Sequence, residues 1–452
     1  MEIRKISLFE KFGHGTFSIS NNIVVQFVVT FILFFYTDVV GIAPAAAGMI
    51  LAIGMVWDGI TDPIVANMVD NHRFKNGERV RPFILTCFPL TVVIIIMFIP
   101  VSFSAPTLTF LYCLVLYLIY DTLTTILRLP HYAMPTLATN NQQDRLSINT
   151  FFSGGATLGA VLASVLCWPL VRLFSGVNAD GNMINPERGF PITAAVIGIF
   201  IIAGSMHCYI ATRERVRPKN EDEEKLSLFR SFKIIMSDYN SRWNTAFSTL
   251  YFVNNSLLTT SLVYYCAHVY KNEGAVTIIM AMFAIGSIMA LPTVKLIDRK
   301  LGRRKAMMIG ATLIILSKIP FVISPLSMVT MYMNAFIMGL SVALNLVTFS
   351  TTRAEVADHI EYVNDRRLDS MVVNFMGLIN KCGTALTTLG IGFVLQFTGY
   401  NAELSAQPQA VTTGLIAIMG WAPIILSIVM LFCASKITIE KVVKEMKEAQ
   451  AI

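Results

Sequence analysis

Apolar residues run through this chain in long, nearly unbroken stretches, and the charges gather in the short polar segments between them. The stretches 83–120, 146–171 and 191–212 are almost free of charge. They show no period-two alternation, so they read as helices and not as strands. A bilayer crossing needs about 20 apolar residues, and a helix satisfies its own backbone in that solvent. On this basis the chain is predicted to be an all-α membrane protein. Twelve spans are expected, near 14–37, 43–67, 82–103, 107–133, 147–171, 190–211, 243–268, 275–295, 305–324, 326–350, 370–398 and 410–434.

The most polar internal stretch divides these spans six and six. The expected organisation is a six-helix bundle over 1–212, a cytoplasmic linker over 213–242, a second six-helix bundle over 243–435 and a cytoplasmic tail over 436–452. Arg213 to Lys225 is the least membrane-like part, and Leu226 to Ile235 is predicted to form a short surface helix.

Composition supports the bilayer reading. Of 452 residues, 55% are hydrophobic and 14% charged, whereas a soluble domain carries about 25% charged residues. The net charge of +7 has a topological origin and implies no nucleic-acid partner. With the N-terminus placed in the cytoplasm, 29 of the 35 Lys and Arg fall on the cytoplasmic side. Arg172, Arg188 and Lys271 fall outside, and Arg128, Lys318 and Lys381 lie within spans. The positive-inside rule then puts both termini in the cytoplasm of a multi-pass cell-membrane protein. The first residues lack a cleavable secretory signal, so the first helix is expected to remain. The seven cysteines lie in or beside apolar spans with no CxxC spacing, and the six histidines form no cluster along the chain. Neither a metal site nor a cofactor is expected, and no Ser-His-Asp or phosphate-loop pattern suggests an enzyme.

Ionisable groups deep in a bilayer are expensive, which makes them functional candidates. Asp58 and Asp62 sit four residues apart in the second span, so both carboxylates share one helical face, about 6 Å apart. Two anions that close cannot both stay charged cheaply. One must take a proton, or a cation must lie between them. That is the requirement of a coupling-ion site, with H+ or Na+ as the ion. Pro63 removes a backbone donor just beyond the pair. Arg128, in the fourth span seven residues after Asp121, has three readings: it neutralises the pair, clamps an anionic solute, or snorkels to the surface. Lys381 is placed to balance the pair from the eleventh span, and Lys318 is expected to snorkel at the outer end of the ninth. Asn21, Asn22, Tyr36, Tyr120, Tyr132 and Phe349 are candidate solute contacts, by hydrogen bonds or ring stacking, against the alternative of helix packing.

Two loops repeat across the halves. Asp70 to Pro82, after span 2, and Asp298 to Arg304, after span 8, each carry an Asp, a turn with Gly and then Arg residues. This resembles the loop signature of the major facilitator superfamily, which implies two six-helix bundles moving about a midplane site. In that comparison Asp70, Arg73, Asp298 and Arg303 are gate residues. Further motifs narrow the likeness: Phe12-Gly13-His14-Gly15, Tyr36-Thr37-Asp38, Trp57-Asp58-Gly59-Ile60-Thr61-Asp62-Pro63, Arg79-Val80-Arg81-Pro82, Val356-Ala357-Asp358-His359-Ile360-Glu361-Tyr362 and Lys381-Cys382-Gly383. In this order, over essentially the whole chain, they resemble the glycoside–pentoside–hexuronide:cation symporters. The resemblance implies cation-coupled uptake of a small sugar or glycoside, and a monomer is expected. It puts Asp58 and Asp62 at the cation site with Lys381 beside them, and Asp358 and Glu361 in a cytoplasmic gate with Arg366 and Arg367 nearby. The chain departs from the melibiose carrier of that family in three places. Asn21-Asn22 stand where a sugar-binding Asp is found, Arg128 stands where a further Asp is found, and Thr150 lies near the place of a sugar-binding Arg. A fixed guanidinium near the acidic pair favours the proton over sodium, or a facilitator without coupling, and an anionic solute such as a glucuronide or hexuronide, with a non-sugar solute (a lipid or organic anion) on the same fold as the alternative.

Overall fold

Long apolar runs give long helices in the computed structural model, which describes residues 6–71, 74, 77–139, 141–178, 182–215, 228–364, 369–402, 404 and 407–450. Helix propensity alone does not hold these segments. Without water, the i to i−4 bond is the only local partner a backbone amide has. Among the described residues the sole β feature is an isolated bridge between Val177 and Met183.

The chain divides into two compact units, the first mainly Met1–Asp222 and the second mainly the remainder. The first unit holds α1 (Leu8–Phe34), α2 (Pro44–Asn71), α3 (Cys87–Met97), α4 (Pro106–Ala138), α5 (Gln142–Ser175) and α6 (Pro186–Ala211). The second holds α7 (Leu228–Ser237), α8 (Tyr239–Tyr264), most of α9 (Ala275–Leu301), α10 (Arg303–Ile323), α11 (Met328–Asn364), α12 (Asp369–Phe397), α13 (Gln409–Ile416), α14 (Ala422–Lys436) and α15 (Ile439–Gln450). The expected surface helix is α7, two residues later than its sequence placement and with residues 226 and 227 outside the described set.

Ten helices among the described residues are long and apolar enough to cross a membrane, making this an all-α, multi-pass membrane protein. Two of the twelve expected spans fall short, each for a physical reason. The third opens as a 3-10 turn, Arg81–Thr86, so its α-helical part has only 11 residues. The seventh, α8, is long but polar. It buries Asn244, Thr245, Ser248, Asn254, Thr259 and Thr260, and its hydroxyls and amides bond the helix's own backbone, as Thr245 does to Ser241 O at 2.7 Å and Asn254 to Leu250 O at 3.0 Å. A helix covered by its neighbours needs no apolar face, so hydropathy underrates it. Ser248 and Thr249 also donate to Asn380 on α12, at 3.0 and 2.8 Å.

Small residues set the closest helix approaches. A Cβ on Gly155 would lie 2.4 Å from Gly15 O, and one on Gly159 would lie 2.4 Å from Ile19 O. The α1–α5 contact therefore depends on α5 presenting bare backbone there. The halves also echo each other locally. The first span ends in a π-helical turn at Phe35–Val39, and the seventh ends in one at Tyr265–Val269. The two repeated loops turn at glycines with left-handed backbone, Gly77 at φ +81° and Gly302 at φ +82°.

Candidate functional site

Packing of α2 on α4 brings the acidic pair to a shared partner. Thr125 Oγ1 lies 3.4 Å from Asp58 Oδ1 and 3.3 Å from Asp62 Oδ1, and donates towards both carboxylates. One side chain can bridge both acids only if they share a helical face. Asp58 is buried and Asp62 half-buried. Helix α2 is fixed against α4 above this point by Trp57, whose indole N–H donates to Thr122 Oγ1 at 2.8 Å. Thr61, between the acids, bonds back to Trp57 O at 3.1 Å. Pro63 stays inside the helix, which runs on to Asn71.

Arg128 is half-buried one turn beyond Thr125. Its guanidinium interacts electrostatically with Asp58, Asp62, Tyr120 and Tyr132, and its Nε is buried without a hydrogen-bond partner. Of the three roles considered from sequence, this position favours charge balance or anion binding. A snorkelling arginine would carry its head group to the surface. Asp121 is half-buried on the same helix, interacting with Tyr117 and Tyr120. Tyr120 is buried and Tyr132 is exposed. The first unit thus gathers two acids, a hydroxyl bridge, a guanidinium, a further acid and aromatic rings along α2 and α4. Such a cluster can hold a small cation between the carboxylates and present a positive group to an anion.

Other candidates lie apart from that cluster. Asn21 on α1 is buried, with Oδ1 unpartnered, whereas Asn22 spends its amide on Ser18 O at 2.9 Å. Tyr36 is wholly buried, with its hydroxyl 3.4 Å from Cys113 O, a packing role. In the second unit Phe349 is buried against Tyr251, with ring centroids 5.3 Å apart, and Lys381 is half-buried on α12. Lys318 does not snorkel. It is wholly buried on α10 with its Nζ unpartnered, in a unit where α11 and α14 both pack against α10. A cavity of about 720 Å³ in the second unit is lined by Arg230, Lys233, Asp238, His359 and Val442, among others, and by no sequence-predicted site residue.

The gate candidates divide. Arg73, Arg366 and Arg367 lie outside the described residues, as does the side chain of Asp70. Arg303 pairs with Asp298 at 3.4 Å and more closely with Glu355. Asp358 and Glu361, one and two turns further along α11, are exposed. Arg303 thus meets the expected Asp298 and, more closely, Glu355, which the sequence reading missed. Missed too are two clamps on the repeated loops. Glu214, just past α6, accepts the backbone N–H groups of Arg79, Val80 and Arg81 at 2.9, 2.7 and 2.7 Å. Glu440, just past α14, accepts that of Arg303 at 2.5 Å. Both acids follow the last span of their unit, a positional signal that the sequence does carry. Arg81 of the family-like motif is structural. Its guanidinium lies 4.2 Å over the Tyr209 ring and pairs with Glu78 at 2.5 Å.

Comparison with known proteins places the fold and the family. The chain is similar to a putative glycoside/cation symporter, YagG, of Escherichia coli (strain K12), at 25% identity over 433 residues, covering 93% of this chain and 90% of that protein. It is also similar to a sodium-dependent lysophosphatidylcholine symporter of Gallus gallus, at 23% identity over 430 residues, covering 87% and 79%. Among solved structures, an inward-facing bacterial homologue of the human lysosomal transporter Spinster superposes with a TM-score of 0.69 at 13% identity, over 95% of this chain and 96% of that one, a likeness of fold. Residues 13–441 match the family of MFS/sugar transport proteins, and the chain belongs to that family, whose members move solutes across membranes and do not catalyse reactions.

Proposed function

We propose that this protein is a proton-coupled symporter of a sugar or glycoside, of the glycoside–pentoside–hexuronide:cation type, with an anionic solute preferred. The observation that carries the reading is the bridge from Thr125 to both Asp58 and Asp62, with Arg128 interacting with the same two carboxylates. Counting Asp58, Asp62 and Arg128 alone, one negative charge remains, which a single proton neutralises. A bound sodium ion would compete with the guanidinium for the same oxygens, so the proton is favoured. When the solute arrives, its negative group can take the guanidinium as a partner. Protonation of the acids and anion binding at Arg128 then support each other, which is how symport couples the two. Alternating access of two six-helix bundles, twelve spans in all with both termini cytoplasmic, completes the proposal. Lys381, Asp298, Arg303 and Glu355 belong to the second unit, where Arg303 and its acids serve as a gate and Lys381 assists coupling.

A second reading, a non-sugar solute such as a lysolipid, draws on the Gallus gallus relative and shares the same coupling site. Uptake into proteoliposomes decides among these. Imposed proton or sodium gradients are combined with a neutral glycoside, a uronic-acid glycoside and a lysolipid. Proton-driven accumulation of the uronic-acid glycoside is expected. Sodium-driven uptake, or uptake of the lysolipid alone, overturns the proposal.

A further inference from the structure

We propose that His14, His131 and Cys208 form a binding site for a soft monovalent metal ion, copper(I), in the first unit. The three side chains come from α1, α4 and α6, 117 and 77 residues apart along the chain. All are buried, and one donor atom from each lies within 4.8 Å of the other two. His14 Nδ1 is 3.2 Å from His131 Nε2, and Cys208 Sγ is 3.9 Å from His131 Nδ1. Three donors about 2.1 Å from a common ion stand about 3.6 Å from one another in a trigonal arrangement. The two short contacts use opposite nitrogens of His131, and one ion takes only one of them, so the third donor, within 4.8 Å of the others, closes in on binding.

Donor chemistry and burial select the ion. A thiolate with two imidazoles is a soft donor set, which copper(I) and zinc both accept. Charge then separates the two. Copper(I) with one thiolate is neutral, whereas a divalent ion leaves a net positive charge in a wholly buried place, at a desolvation cost of several kcal/mol. On binding, the Cys208 S–H bond is replaced by an S–Cu bond, the thiol proton leaves to water, both histidines stay neutral and copper keeps its oxidation state. A route in is at hand: His207, the neighbour of Cys208, is half-buried and bonded to half-buried Thr16 at 2.9 Å. None of these groups belongs to the proposed coupling site, so the inference stands apart from the symport reading.

The test uses the purified full-length protein in detergent, titrated with copper(I) under reducing, oxygen-free conditions. Thiolate-to-copper absorption and competition with a copper(I) chelator report binding, and thermal unfolding reports stabilisation. The expected result is one equivalent bound, with a rise in unfolding temperature that needs no variant to observe. Affinity should fall at least tenfold in Cys208→Ser and in His131→Gln. It should be unchanged in Cys382→Ser, which removes the one exposed cysteine. Absence of both absorption and thermal shift at one equivalent overturns the proposal, and so does binding that survives Cys208→Ser.

Discussion

Thr125→Val keeps the shape of the side chain and deletes the hydroxyl that donates to Asp58 and Asp62. A hydrogen bond to a charged group contributes about 1.5–3 kcal/mol. At 3.3 and 3.4 Å these contacts are long, which puts the loss at the weak end, about 1.5 kcal/mol, or about tenfold in affinity. The sign depends on the coupling ion. For a proton, the hydroxyl competes with it for carboxylate lone pairs, so deletion tightens binding and the pH of half-maximal uptake rises by up to about one unit. For sodium, the hydroxyl oxygen would serve as a ligand, so deletion weakens binding and raises the sodium concentration needed. The assay is initial-rate uptake into proteoliposomes across a series of external pH values, with and without sodium. A pH profile that stays in place while sodium dependence weakens refutes the proton reading. A variant indistinguishable from wild type in both ions refutes the bridge itself.

Asp58→Asn and Asp62→Asn should each abolish accumulation against a gradient while solute exchange survives, as counterflow measurements would register; active accumulation in both would remove the pair from coupling. Arg128→Ala should cost uptake of an acidic solute at least tenfold and spare a neutral one, since a charge-assisted pair contributes about 1.5–3 kcal/mol; paired uptake assays check this. Glu214→Ala strips the acceptor from three backbone amides, so hydrogen exchange at Arg79, Val80 and Arg81 should quicken; unchanged protection would make that clamp incidental. Gly159→Leu puts side-chain atoms where Ile19 O already sits. Its unfolding temperature should drop by several degrees if α1 and α5 need that contact.

The spans were legible in the sequence because a bilayer demands continuous apolar length, and a run of residues displays that directly. The exceptions show what hydropathy cannot register. Helix α8 is polar because other helices cover it, and neighbours are invisible in a one-dimensional pattern. The shared face of Asp58 and Asp62 was equally legible, since a spacing of four fixes it within one helix. Thr125 was not, because 67 residues separate it from Asp58 and threonines in spans are common. The same limit hid Glu355, which meets Arg303 only once α10 and α11 pack. It also hid the meeting of His14 and His131 across 117 residues. Lys318 lies near a helix end, which suggests a surface, yet it is wholly buried in a unit where α11 and α14 pack on its helix. Local spacing therefore identified residues within one helix, and each miss involves a partner supplied by another.

The clamps at Glu214 and Glu440 bear on how such a protein can arise. Each acid secures a loop of its own unit with a segment of that same unit. A break in the chain between the units would undo neither. Each half could then be encoded by its own gene, and co-expression of two half-length chains should preserve both fastenings. A half-length ancestor that had to fasten its own loop, once duplicated and fused, would leave the same device at the same place twice.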